Sequence, residues 1–248
     1  MVKIMRILES FSTMRRALSL GELCQQCGFP KSTTHRLIAS MREVGLLDQD
    51  REGERYRLGL KLFELGNIVL ANMDLHREAQ SFVDALTRIS GQGVHLAVFD
   101  GRLAVVIRRT DPIPEGGNPA NLIESAPAHC TSVGKAILAY QDAVTIDRVI
   151  AGGLARFTDQ TIVNPTALRS ALGRVRRLGH AIDEGEHQPG VRCVGAPIRD
   201  QNGRVFAAIS VSGPAWRLPA SEVESLAKIV IHHANGISAS LGYRVDPG

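Results

Sequence analysis

The 248-residue sequence predicts an α+β protein of two unlike parts, and three observations predict it. Apolar residues recur at helical spacing over 20–27 and again from 31 onward, and two short strand-like runs follow directly. Further along, two pairs of β-type runs are joined across Asp100-Gly101 and Asn202-Gly203, with amphipathic helical stretches around them. The formal charge excess sits entirely at the front. Residues 1–62 hold 11 Lys/Arg against 7 Asp/Glu, which accounts for the whole net +4 and leaves the remainder balanced at 18 against 18.

A first helix is predicted from about Lys3 to Ser12, with Ile4, Ile7, Leu8 and Phe11 on one side. The second covers Ser19 to Cys27, where positions 20, 23, 24 and 27 are apolar and Gly28 is a stop signal. Phe29-Pro30 turns the chain into a third helix whose Leu37, Ile38, Met41 and Val44 form the buried stripe. Its polar side carries Lys31, Ser32, Thr33, His35 and Arg36. Leu46–Gln49 and Arg55–Leu58 then read as two strands joined by the charged turn 50–54. This order is that of a winged helix-turn-helix, an architecture that binds double-stranded DNA. The third helix presents its N-terminal polar residues to bases and phosphates. Arg51, Arg55 and Arg57 of the wing flank the duplex, because a guanidinium grips phosphate or enters a narrow minor groove. Ordinary helix pairs also carry polar faces, but the basic head joined to a neutral body favours DNA. The excess is modest and favours a dimer, in which two heads double the contact.

The predicted domains are therefore 1–58, the winged helix-turn-helix; 59–73, a helical linker; and 74–248, the second domain. The linker bears more apolar side chains than a solvated helix tolerates, so it packs either against a partner chain or on its own second domain. A helix over Asp74–Ser90 follows, with Leu75, Ala79, Phe82, Val83, Leu86 and Ile89 on one side. The hairpins 95–107 and 193–211 enclose helices near 132–140, 142–151 and 165–178, and a last helix runs from about 219 to 241. An antiparallel sheet results. Pro112 to Pro119 is the most loop-like stretch.

A hydrophobic content of 44% supports a proper core and argues against disorder. No apolar run approaches the roughly 18 residues of a membrane span. The first residues lack a signal-peptide hydrophobic region, so a cytoplasmic protein is expected. Four scattered cysteines are expected to be reduced thiols. Cys24 and Cys27 form a lone C-x-x-C without a second pair or a neighbouring His, so core packing accounts for them better than zinc. His232 and His233 are adjacent on a helix and point apart. No metal and no cofactor are expected.

In the second domain, Thr131 or Ser132 caps a helix start, and its first-turn N–H groups suit a carboxylate; an ordinary capped helix is the other reading. Asp183 lies ten residues before Cys193, and Ser210 and Ser212 share one side of a strand, toward either a pocket or solvent. An enzyme using Cys193 with Asp183 and His129 is the rival, but no nucleophile elbow or ordered triad is present.

Taken together, these residues resemble the isocitrate-lyase-regulator-like (IclR) family of bacterial transcription regulators. The resemblance runs through Pro30-Lys31-Ser32-Thr33, then His129 with Gly134-Lys135-Ala136, then Asp183, Glu186, Gly190, Cys193, Pro197-Ile198 and Gly203. It ends in Ala208 to Pro214. It implies a winged-helix DNA-binding domain, a helical linker and a GAF-like α/β effector domain, assembled as dimers or tetramers. It further implies a pocket lined by Ser132, Val133, Asp183, Cys193, Ser210 and Ser212 that takes small organic acids: keto, sugar or aromatic. The pair at Ser132-Val133 is often smaller in that family, so an added hydroxyl and branched methyls stand at the anion end here.

Overall fold

The computed structural model describes residues 2–12, 14–50, 53–71, 74–110 and 125–244. Arg51 and the stretch Pro112–Pro119, for which a loop is expected from sequence, lie outside the described residues. The chain divides into two compact units, Met1–Met73 and Asp74–Gly248.

The first unit runs α1 (Val2–Leu8), β1 (Leu18–Ser19), α2 (Leu20–Cys27), α3 (Lys31–Glu43), β2 (Leu47–Gln49), β3 (Arg55–Leu58) and α4 (Leu60–Ala71). Helix α2 opens on a capping box. The Ser19 hydroxyl accepts the Glu22 N–H, and the Glu22 carboxylate accepts the Ser19 N–H at 2.7 Å. It stops at Gly28, whose φ of +68° strains any residue with a Cβ. Ile7, Leu23, Ile38, Met41, Leu47 and Tyr56 meet in one core, which locks α3 against α1 and α2. Helix α1 is shorter than predicted. At Ser10 and Phe11 the backbone tightens to bonds three residues back, and the Ser10 hydroxyl donates to the Arg6 carbonyl, competing with continued helix. Phe11 nevertheless reaches the core. Val44 is not part of the buried stripe, since α3 ends at Glu43 and Val44 caps it while 58% exposed. The strands form an antiparallel sheet of order β1-β3-β2, in register Asp48↔Arg57 and Leu18↔Tyr56.

The second unit starts with α5 (Asp74–Glu78) and α6 (Gln80–Ser90), where one continuous helix was expected, and Ile89 is exposed. Then come β4 (Gly93–Phe99), β5 (Leu103–Thr110), β6 (Ser125–Pro127), α7 (Ser132–Leu138), α8 (Ala143–Ala151), α9 (Pro165–Leu178), β7 (Ala181–Glu184), β8 (Val191–Arg199), β9 (Val205–Pro214) and α10 (Val223–Ser240). Among the described residues these strands make one antiparallel sheet, ordered β6-β5-β4-β9-β8-β7. Both predicted hairpin turns are held by an aspartate. Asp100 Oδ1 accepts the Arg102 and Leu103 N–H groups, and Asp200 Oδ1 accepts those of Asn202 and Arg204.

Strand alternation sorts the two faces. Val194, Ala196, Ile198, Ile209 and Val211 are buried on one, where α10 packs on β8 and α6 on β4. Ala97, Ala181 and Ala208 belong to the core of the other, together with Val133, Ala136 and Ile137 of α7 and Leu168 and Leu172 of α9. Both faces are thus covered, which leaves the α7 side as a dry layer in which polar groups stand out.

Candidate functional site

The head presents its chemistry on α3. Lys31, Ser32, His35 and Arg36 are exposed and Thr33 half-buried, while Thr34 between them is buried and donates its hydroxyl to the Pro30 carbonyl at 3.2 Å. That inward anchor fixes the rotation of the first turn, so its neighbours project outward. No side chain caps α3, so its leading N–H groups remain available to an anion. The wing arginines are less free than their spacing suggested. Arg57 donates to Asp48 Oδ2 at 2.6 and 3.0 Å, and Arg55 donates to the Ala17 carbonyl at 3.1 Å with Glu22 at 3.5 Å. Both are exposed, and exposed ion pairs are worth only about 0–1 kcal/mol, so phosphate competes readily for them.

In the second unit the register gathers residues far apart in the chain. Asp183 pairs with Cys193 and Cys193 with Ser212, forming one row across β7, β8 and β9. The next row on the same face holds Ala181, Gly195 and Ser210. Ser210 is 1% exposed, which removes the solvent-face reading of that strand. Helix α7 comes down onto this patch at its N-terminal end. A Cβ on Gly195 would lie 2.9 Å from the Ser132 carbonyl carbon, so only glycine lets Ser132 rest there. Thr131 caps the helix, its Oγ1 accepting the Gly134 N–H at 3.1 Å. Ser132, Val133, Asp183, Cys193 and Ser210 are buried together and Ser212 is half-buried.

The electrostatics follow from that burial. Asp183 is pushed above the usual carboxylate range by desolvation, although its Oδ1 accepts the Glu186 N–H at 2.7 Å and Lys135 stands near. Cys193 donates to Ser212 Oγ at 3.1 Å, and burial pushes its thiol up to about 12. Cys130 is likewise raised to about 12 by burial. His129 is buried and bonds the Ala155 carbonyl at 3.0 Å. Two deeply protonated thiols are poor nucleophiles. Thiol labelling at pH 8 is therefore expected to spare Cys130 and Cys193 in the folded protein and to reach them after denaturation, as read by mass spectrometry. Rapid native modification of Cys193 would reopen the nucleophile reading.

One feature escaped sequence reasoning as a unit. Lys135 of α7 and Glu186 of the β7–β8 turn form a buried ion pair, with side chains 5% and 8% exposed. Glu186 also takes hydroxyl donation at its carbonyl from Thr161 at 2.6 Å. Local spacing carries no trace of a pair 51 residues apart; the signal was a lysine inside an otherwise apolar helix, with a glutamate three residues after Asp183. Among the described residues there is no cluster that could hold a metal ion, and no helix long and apolar enough to cross a membrane.

A winged-helix head carrying a neutral sensor-like unit is the build of a DNA-binding regulator with a C-terminal effector domain, and the comparisons with known proteins agree. Residues 2–51 match the IclR helix-turn-helix domain and residues 67–239 the bacterial transcriptional regulator IclR C-terminal domain. The chain is 31% identical over 242 residues to the HTH-type transcriptional regulator XynR of Escherichia coli, covering 97% of this chain and 96% of that one. It is 32% identical over 247 residues to KdgR of the same organism, covering 99% and 94%. Among solved structures, an IclR homolog from Microbacterium hydrocarbonoxydans complexed with 4-hydroxybenzoate superposes with a TM-score of 0.79 at 27% identity, covering 96% of this chain and 97% of that one. The chain belongs to the IclR family of transcriptional regulators.

Proposed function

We propose that this protein is a homodimeric or tetrameric cytoplasmic regulator, not an enzyme, whose affinity for an operator is set by a small carboxylate held in the second unit. The observation that carries this is the convergence of Ser132, Asp183, Cys193, Ser210 and Ser212 beneath the start of α7. A carboxyl, a thiol and three hydroxyls grouped in one patch give an oxygen-rich ligand directional polar partners. With Thr131 satisfying the Gly134 N–H, the N–H groups of Ser132 and Val133 are those an anion meets. Asp183, raised by burial, repels such an anion less and donates to it when protonated. The carboxylate in the Microbacterium hydrocarbonoxydans complex is of the same class.

Assembly is supported by α4, whose Leu60, Phe63, Ile68 and Val69 are 81%, 68%, 58% and 59% exposed. Large apolar side chains exposed around so much of one helix suit self-association better than solvation. In a dimer two recognition helices address two half-sites, and ligand changes operator affinity only through different affinity for the DNA-competent arrangement.

A thermal-shift screen of keto, sugar and aromatic acids tests this. A true effector at about 100 times its Kd adds about 2.7 kcal/mol, or roughly 5–10 °C for a unit of this size. Asp183→Ala is expected to abolish the shift, and the acid is expected to be recovered unchanged. Consumption of the acid would make the protein an enzyme.

A further inference from the structure

A cleft of about 710 Å³ opens in the head between residues 14–18, the outer face of α2 and the first residue of β3. Neither the recognition helix nor the tip of the wing forms it. Its lining holds three guanidinium groups, Arg15, Arg16 and Arg55, against one carboxylate, Glu22, with the amides of Gln25 and Gln26 between them.

Glu22 is already committed. Its carboxylate accepts the Ser19 N–H that closes the α2 capping box, and those bonds hold it below the usual carboxylate range. It therefore remains ionised beside the three guanidinium groups of the lining. Arg15 is anchored rather than loose. Its backbone exchanges bonds with Ser12, Ser12 N–H to the Arg15 carbonyl at 3.1 Å and Arg15 N–H to the Ser12 carbonyl at 3.0 Å. Its Nη1 donates to Gln26 Oε1 at 2.7 Å. A guanidinium carries five N–H donors, so that one bond orients the group and leaves donor capacity facing the cleft. Arg55 joins the cleft to the wing, since it begins β3 directly after the wing turn while its Nη1 reaches across β1 to the Ala17 carbonyl.

Donors arranged along a concave surface continuous with a DNA-flanking hairpin fit a chain of phosphates. We infer that this cleft is a second DNA contact, which takes the sugar-phosphate backbone of the duplex beside the wing through Arg15, Arg16 and Arg55. The inference rests on the DNA-binding assignment of the head and adds a contact that recognition by α3 does not include. Phosphate contacts position a protein without reading sequence. The cleft thus contributes affinity and salt dependence, while base discrimination stays with α3.

Fluorescence anisotropy with a labelled random-sequence duplex of roughly 30 base pairs, titrated from about 50 to about 200 mM KCl, tests it in the full-length protein. Each lost phosphate contact flattens the plot of log K against log salt by about 0.9, and a dimer counts each residue twice. Arg15→Ala/Arg16→Ala is expected to flatten the slope by about 2–4 and to weaken binding at least tenfold near 100 mM salt. Arg15→Lys/Arg16→Lys, which keeps the charge, is expected to retain most of the slope. Melting temperature and circular dichroism equal to wild type confirm that the alanine variant is folded. A slope within about 0.5 of wild type in that variant overturns the cleft and leaves the DNA-binding assignment standing. Absence of salt-dependent binding by the wild-type protein would instead sink both.

Discussion

Arg36→Ala is expected to reduce operator affinity about 30- to 10⁴-fold at fixed salt and to leave effector binding unchanged. The size follows from geometry and symmetry. Arg36 is exposed in the second turn of α3, two residues after Thr34, whose buried hydroxyl bond to Pro30 sets which way that turn faces. A guanidinium in this position reaches a guanine edge or a phosphate, and a good base contact is worth about 1–3 kcal/mol. Two heads on one operator raise that to about 2–5.5 kcal/mol, or about 30- to 10⁴-fold. The variant is expected to melt with the wild type, because Arg36 is exposed whereas Ile38 and Met41 of the same helix fill the core. Gel shifts at one salt concentration, paired with an effector titration on the same preparation, check both halves. Equal operator affinity would place the reading surface elsewhere on the head.

The same helix shows what the sequence made legible and where local reasoning stopped. Helical spacing identified α2 and α3, Gly28 marked the break between them, and Asp100-Gly101 and Asn202-Gly203 marked the two hairpins, because each of these signals acts over a few neighbouring residues. β1 is two residues long and β7 is four, below the length at which alternation becomes readable. Yet β7 carries Asp183 into the site, so the row Asp183, Cys193, Ser212 emerged only from strand register. The side to which Ser210 turns was likewise undecidable from alternation with Ile209 and Val211. Burial on both faces of the sheet makes the polar and apolar sides look alike in sequence. The wing arginines were visible as charges, whereas their ties to Asp48 and Ala17 depend on cross-strand neighbours. Residues named for the site by resemblance, Ser132 and Val133 among them, come together because Gly195 has no side chain to hold α7 away.

Breaking the Lys135–Glu186 pair is expected to be strongly destabilising to the second unit. Lys135→Met leaves the Glu186 carboxylate in a dry layer; its Oε2 already has no hydrogen-bond partner. Removing one member of a buried pair costs about 3–5 kcal/mol. For a unit of this size that is a fall in melting temperature of roughly 6–20 °C. Lys135→Met/Glu186→Leu is expected to recover most of it, because an apolar pair of similar volume carries no desolvation cost. The pH dependence separates this account from simple loss of packing. Burial raises the Glu186 carboxyl above its ordinary 4.5, and Lys135 is the largest influence opposing that rise. In Lys135→Met the folded-state value climbs further. A group raised in the folded state contributes stability that is fully present below its unfolded value and lost as pH rises through the folded one. The deficit of Lys135→Met is therefore expected to be small near pH 3, where Glu186 is neutral in both states, and to widen toward pH 7 and above. The double variant lacks the titrating group and is expected to show no such trend relative to wild type beyond loss of the native pair's own. Because the Glu186 N–H also holds Asp183 Oδ1, the single variant is expected to lose effector binding along with stability. A pH-independent deficit in Lys135→Met would show that the lysine acts through its methylene packing and not through its charge.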